Sequence, residues 1–376
     1  MQKYNLKLMP SGPESFEPGK HGSKPIAVLM SGGVDSSVTA HLLKQAGWNV
    51  MGLTMKISVS CNAHIHERRG VSAALVCNQL DLPHYFVDVT QVFEELIIEP
   101  FRRSYRQGRT PNPCADCNAR LKFGLLWDFL QEKFGINYIA TGHYARVVKT
   151  NGRVFLARAA DKSKDQSYFL FGINPDKIER LVFPLGNLTK KQVRSIAADL
   201  NLSVAERPES MELCFTAEGD YRGLLEEAEL NRHGQIQDMQ GQTIGTHKGI
   251  TNYTIGQRRG VRFAGGQPLY VAGIDAYTNT ITLGRREEVS HSIIKANQIN
   301  VLIPELLRPG QSLFGKIRSY GQAHPCRVVD AGGDENITVN FNKPVFAPCP
   351  DQKLVLYDED ENIVAGGTIA SFGDCE

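Results

Sequence analysis

Two cysteines, far apart in the 376-residue sequence, stand in settings suited to sulfur chemistry. Cys117 lies in Thr110-Pro111-Asn112-Pro113-Cys114-Ala115-Asp116-Cys117-Asn118, and Cys214 in Glu209-Ser210-Met211-Glu212-Leu213-Cys214-Phe215. The spacing puts Cys117 at or beside a helix N-terminus. It also lies in a basic stretch, since Arg102, Arg103, Arg106, Arg109, Arg120 and Lys122 face the single acid Asp116. Both features lower a thiol pKa and favour the thiolate, the reactive form. Two cysteines on separate loops can share a transfer, one carrying a persulfide and the other attacking it. Taken singly, each reads equally well as a small buried hydrophobe.

A second chemical signal is Ser31-Gly32-Gly33-Val34-Asp35-Ser36, placed between an apolar run and a helical stretch. Such a turn can bring backbone N–H groups and a helix N-terminus around phosphate, with Ser31, Ser36 and Ser37 adding hydroxyl donors. A Walker loop needs Lys directly before Ser or Thr, and none is present. The pattern resembles the PP-loop of ATP pyrophosphatases, which cleave ATP between its α and β phosphates. Asp35 would then be a magnesium-side carboxylate. Adenylation alone does not name the acceptor, because this class includes synthetases of small molecules as well as tRNA thiolases.

Eight cysteines without a secretory pattern read as reduced thiols. Cys114 and Cys117 form one C-x-x-C with no second pair for a four-Cys zinc site, and Cys61, His64 and His66 are close but lack a ligand spacing. The formal net charge of +2 hides an asymmetry, since residues 301–376 carry six Lys or Arg against eleven Asp or Glu. The basic Arg102–Lys122 stretch would suit a polyanion, though a solvated basic face explains the same charge. No apolar run is long enough to span a bilayer, so the reading is a soluble, cytoplasmic protein without membrane contact.

The elements that must position these residues alternate from Pro25 as in an α/β sheet. Expected strands are Ile26–Met30, Val50–Met55, His84–Val87 and Tyr138–Thr141. Expected helices are 36–46, 70–80, 92–104, 118–134 and one opened by a capping box at Thr189–Gln192. Asn151-Gly152 signals a two-residue hairpin. After Pro208 the texture turns to short, closely spaced strands, with a join at 284–290. The organisation expected is a flexible extension over 1–24, a parallel-sheet domain over 25–207, a small central β domain over 208–288 and a C-terminal β barrel over 289–376.

Further motifs extend these signals: Gly52-Leu53-Thr54-Met55-Lys56, Ala140-Thr141-Gly142-His143-Tyr144-Ala145-Arg146, Lys164-Asp165-Gln166-Ser167-Tyr168-Phe169-Leu170, and Tyr253-Thr254-Ile255-Gly256-Gln257-Arg258-Arg259-Gly260. Together they cover nearly the whole chain from Pro25, which resembles the bacterial tRNA-specific 2-thiouridylases. That resemblance implies a PP-loop α/β fold of the adenine nucleotide alpha hydrolase type, followed by the two β domains. It implies ATP, magnesium, a tRNA substrate and a sulfur-carrier or cysteine desulfurase partner for a monomeric enzyme.

By the same resemblance, Leu29, Met30, Ser31, Gly32, Gly33, Val34, Asp35, Ser36, Met55 and Gly142 contact ATP. Asn112, Pro113 and Cys114 lie at the target base, and His143, Lys164, Asp165, Gln166, Arg318, Ser319 and Gln352 touch tRNA. Cys117 takes the nucleophile's place and Cys214 that of the persulfide carrier, and the resemblance also implies a disulfide bond. The chain departs from the family pattern at Cys114, where Asp is common, before Cys214, and at Arg318-Ser319-Tyr320-Gly321. With Cys114 present, Cys114, Cys117 and Cys214 could instead ligate an iron-sulfur cluster, and the sequence leaves relay and cluster both open. Other readings are a PP-loop ligase of a small acid and a non-catalytic tRNA-binding module.

Overall fold

The run Pro25–Leu29 is apolar throughout because it is covered on both faces, the condition of a central parallel strand. The computed structural model describes residues 4, 6–12, 16–18, 23–57, 63–207, 213–216, 220–261, 267–332 and 335–373, with the backbone alone over 63–68. The Cys61, His64 and His66 side chains therefore lie outside the described residues. The chain divides into two units, Met1–Leu96 with Asp116–Gly219, and Ile97–Ala115 with Asp220–Glu376.

The first unit holds β1 (Leu8–Pro10), β2 (Pro25–Leu29), β3 (Asn49–Lys56), β4 (His84–Asp88), β5 (Tyr138–Thr141), β6 (Ala145–Thr150), β7 (Arg153–Arg158) and β8 (Leu181–Val182). Six of these form one sheet in the order β1-β4-β3-β2-β5-β8, parallel except at β1. From β2 the chain builds outwards through β3 and β4, then returns to add β5 and β8 on the other side. The reversal between β2 and β5 leaves a crevice at the strands' carboxyl ends, the place where such sheets bind ligands. Helices α1 (Val34–Gln45) and α2 (Ala63–Gln79) belong to this unit, and Val34, Val38, Ala73, Val76 and Cys77 share a core with Ile26 and Val28. β6 and β7 form the expected hairpin, with Asn151 and Gly152 at φ 51° and 75°.

Two expectations need correction here. Part of the N-terminal stretch is ordered: β1 pairs with β4, and the Ser11 hydroxyl meets His84 Nδ1 at 2.5 Å. The helix expected at 118–134 is a short turn over Pro113–Asp116, a π-type run over Cys117–Leu126 broken at Gly124 (φ −92°, ψ −109°), and an α-helix over Trp127–Phe134. A π-turn is uncommon and recurs at functional sites.

The second unit holds a four-stranded sheet ordered β10-β9-β12-β11, from β9 (Gly234–Gln237), β10 (Thr243–His247), β11 (Tyr270–Asp275) and β12 (Thr280–Gly284). It also holds a closed barrel of β13 (Ser290–Val301), β14 (Ser312–Lys316), β15 (His324–Ala331), β16 (Asn336–Phe346), β17 (Lys353–Tyr357) and β18 (Ile363–Gly373). Closure leaves the barrel without an unpaired edge. Residues 97–115, which the sequence reading kept with the parallel sheet, group with this unit. Tyr105 stacks on Tyr221 at 4.4 Å, Arg102 Nε donates to Leu224 O, and Arg106 Nε donates to Glu229 at 2.5 Å.

Candidate active site

The phosphate loop begins where β2 ends. Gly32 has φ 71°, and a Cβ there would lie 2.2 Å from the carbonyl oxygen of Arg69, so glycine alone fits. Gly33 caps α1 without any side-chain hydrogen bond, which leaves the first-turn N–H groups and the positive end of the helix to meet an anion. Beyond β5, Gly142 backs the loop closely, for its Cβ would stand 2.8 Å from Ser36 N. Met30 N donates to Leu53 O at 2.8 Å, and Met55 is half-buried near the end of β3. The hydroxyls behave differently from expectation. Ser36 and Ser37 are buried and both donate to Gly33 O, at 3.2 and 2.9 Å, so they brace the turn.

Asp35 is engaged on both oxygens. Lys190 Nζ donates to Oδ1 at 2.7 Å and to Oδ2 at 2.8 Å, and the Tyr144 hydroxyl donates to Oδ1 at 2.9 Å. In this arrangement the carboxylate faces an ammonium and does not fit the magnesium-side role expected of it. Arg207 is another residue that sequence reasoning did not single out. Its guanidinium donates to Gly32 O at 2.6 Å and to Ser72 Oγ at 3.0 Å, tying the phosphate loop to α2.

The thiols lie in the same unit. Cys117 is 6% exposed, and burial pushes its thiol up to about 11; Lys122 pulls the other way, while Cys214 and Asp116 add to the rise. Burial likewise raises Cys214, against the pull of Lys122 and Arg69. The expectation of a depressed Cys117 pKa is therefore overturned. Its helical run starts one turn earlier, at Pro113, and desolvation outweighs the neighbouring cation. Lys122 also helps lower His143, which burial brings down to about 3 and which meets Thr141 Oγ1 through Nδ1 at 2.6 Å. Lys122 itself donates to Asn118 Oδ1 at 2.9 Å, and Asn118 Nδ2 to Phe169 O at 3.1 Å. One anchored cation thus acts on both sulfurs and on a neutral imidazole. His143 directly follows Gly142, and Arg69 touches the loop at Gly32, so two links join the thiols to the phosphate loop.

In the second unit, Asn112 caps the turn at Pro113–Asp116, its Oδ1 accepting from Ala115 N at 3.2 Å with Pro at the first helical position. Its Nδ2 donates to Gln352 Oε1 at 3.4 Å, and Gln352 Nε2 donates to Pro111 O at 3.3 Å. Cys114 is half-buried. Arg318 Nη2 donates to Ala347 O at 2.5 Å, to Ile255 O at 3.3 Å and to Cys349 Sγ at 3.4 Å, beside a half-buried Ser319. In the first unit, Asp165 accepts from Arg158 Nε and from the backbone of Ala159 and Ser167. Gln166 Oε1 accepts from Tyr144 N, and Lys164 is half-buried. Several side chains expected on tRNA are thus spent on the fold. Of the basic stretch, Arg106 and Arg109 pair with Glu229 and Asp351, while Arg103 and Arg120 are exposed.

Six cysteines are free thiols among the described residues, Cys114, Cys117 and Cys214 included. Among those residues, no three His, Cys, Asp or Glu side chains gather as a metal site. No described helix is long and apolar enough to cross a membrane.

Three family models cover the chain: the tRNA methyl transferase HUP domain over residues 24–218, the tRNA methyl transferase PRC-barrel domain over 222–285 and the aminomethyltransferase beta-barrel domain over 291–369. The chain is 38% identical to the tRNA-specific 2-thiouridylase MnmA 2 of Thermoanaerobacter sp. over 358 residues, 92% of this chain and 97% of that one. It is 41% identical to MnmA 1 of Syntrophus aciditrophicus, with 92% of each chain covered. It is 40% identical to MnmA of Gloeothece citriformis, with 92% and 98% covered.

Proposed function

The chain belongs to the tRNA-specific 2-thiouridylase family, and from that premise we propose how its residues divide the reaction. The protein is a tRNA sulfurtransferase that uses ATP to place sulfur at C2 of uridine. Residues Leu29 to Ser36 hold the nucleotide phosphates, bordered by Met55 and Gly142. Uridine O2 of the wobble base attacks the α-phosphorus, an O–P bond forms, and pyrophosphate leaves. C2 then carries AMP as its leaving group.

A sulfur-carrier protein or cysteine desulfurase loads Cys214 as a persulfide. Its terminal sulfur adds to C2, and AMP departs with the original oxygen. The Cys117 thiolate attacks Cys214 Sγ, the S–S bond breaks towards the base, and 2-thiouridine is released. A Cys117–Cys214 disulfide remains for an external dithiol to reduce. In the other order, Cys117 attacks first and frees sulfide, which then adds to C2. The observation that supports this reading is the thiol pair: two cysteines remote in sequence share one lysine, and Cys214 adds to the rise at Cys117.

Asn112, Pro113 and Cys114 receive the splayed base, and His143, Lys164, Asp165, Gln166, Arg318, Ser319 and Gln352 border the tRNA path, several of them by shaping backbone. Magnesium accompanies ATP as its counter-ion, but Asp35, paired with Lys190, takes no magnesium step. The relay needs no iron-sulfur cluster. The reaction is assigned to the cytoplasm.

The test is pyrophosphate release with and without tRNA, with 2-thiouridine measured on the same samples. Wild type should release pyrophosphate only with tRNA. Cys214→Ser should keep that release while losing 2-thiouridine. Release without tRNA would point to a small-acid ligase, and full thiolation by Cys214→Ser would overturn the persulfide route.

A further inference from the structure

Asp35 occupies the first turn of α1, where an incoming triphosphate meets the helix's N–H groups. A bare carboxylate there would repel a ligand carrying several negative charges. The structure resolves this by an ion pair: Lys190 Nζ sits 2.7 and 2.8 Å from the two oxygens of Asp35, with the Lys190 side chain 11% exposed. Tyr144 completes the arrangement, since its hydroxyl donates to Asp35 and the ammonium stands 5.7 Å from its ring centroid.

Each member is fixed from a separate element. Lys190 opens a helix whose capping box, Thr189 with Gln192, satisfies donors from both sides, and its N–H donates to Asp161 Oδ2 at 3.2 Å. Tyr144 N donates to Gln166 Oε1 at 3.0 Å, and Gly142 presses against Asp35 and Ser36. An ion pair present only to join two helices would not need its carboxylate at the mouth of a phosphate loop.

We propose that Lys190 is a positioning residue for nucleotide binding: it neutralises Asp35 and holds it in place, so that the loop accepts the triphosphate against an uncharged first turn. The proposal deepens the ATP-dependent reading above and depends on it for its role in thiolation. Binding of nucleotide alone can be read without that reaction.

The experiment measures affinity for α,β-methylene-ATP by calorimetry in wild type, Lys190→Met, Lys190→Arg, Asp35→Asn and the Asp35→Asn/Lys190→Met double variant, with thermal melts on each. Lys190→Met should bind about tenfold or more weakly, because it bares the carboxylate, whereas Lys190→Arg should recover most of the affinity. The double variant should bind better than Lys190→Met, since removing both charges restores neutrality. A double variant no better than Lys190→Met would overturn the proposal, as would Lys190→Met binding within twofold of wild type while folded. A carboxylate needed for magnesium predicts that first failure. Wild type that binds nucleotide but releases no pyrophosphate with tRNA would sink the functional reading and leave the charge-balance result standing.

Discussion

Asn112 Nδ2 donates to Gln352 Oε1 across 240 residues of sequence, and Gln352 answers through Nε2 to the carbonyl of Pro111. The Asn112-Pro113-Cys114 turn is thereby fastened to the residue just before β17, so the edge of the barrel sets where that turn stands.

Asn112 performs two tasks, capping the Pro113 turn and bonding Gln352, and the two can be separated. Asn112→Ala should cost about 1 kcal/mol in a urea melt by loss of the cap. Asn112→Asp keeps the cap acceptor and should cost less. In kcat/KM for tRNA, Asn112→Ala and Gln352→Ala should be non-additive by about 0.5 kcal/mol or more, because each removes the same contact. Additive losses would show that the contact does not set the turn.

Lys122 pulls against burial at both Cys117 and Cys214. Lys122→Met should slow iodoacetamide labelling of both cysteines at pH 8, by about tenfold for each unit of pKa gained. It should also raise His143, whose low value Lys122 helps to set, and NMR titration of the imidazole reads that shift. Unchanged labelling of a folded variant would remove Lys122 from the thiol site.

Alkaline stability follows from the buried thiols. Burial holds Cys117 at about 11 and Cys77 and Cys326 at about 12, against an ordinary 9.0. Above pH 9 the unfolded chain releases these protons while the native state keeps them, so stability falls as pH rises from about 9 towards 11 and 12. Below 9 both states are protonated and these groups leave stability unchanged. Urea melts at pH 8, 9 and 10 should show a fall that is smaller in Cys77→Ala, although that variant starts less stable. A flat profile in wild type would contradict the burial.

Arg318 was expected to meet tRNA, yet its guanidinium lies on two carbonyls and a thiol within its own unit. Arg318→Ala should lower the melting temperature while leaving the salt dependence of tRNA binding unchanged. Arg103→Ala and Arg120→Ala, both at exposed positions, should each reduce the slope of log K against log salt by about one unit if these residues face phosphate. A reduced slope in Arg318→Ala at normal stability would show that its guanidinium meets phosphate directly and does more than shape the backbone beside the tRNA.

Much of this site was legible in the sequence because its signals are local. The apolar run before Gly32, the Asn151-Gly152 turn and the Thr189 capping box need only neighbouring residues, and each stands where its pattern placed it. What was hidden depends on distance along the chain. Asp35 meets Lys190 from 155 residues away, and the phosphate loop takes Arg207 from 175 away, so neither partner could be read from spacing. The thiol pKa went wrong for a related reason. Helix position and charge are visible in sequence, but the burial of Cys117 is a property of packing and outweighs both. Residues 97–115 join the second unit through Tyr105, Arg102 and Arg106, whose partners lie beyond residue 219.

Arg207, clamped to Gly32 and Ser72, precedes Cys214 by only seven positions, and chain of that length spans at most about 25 Å when fully stretched. Covalent geometry alone therefore keeps Cys214 within that radius of the residue that braces the glycine loop. A sulfur donor, as proposed, would have to deliver its sulfur inside that radius.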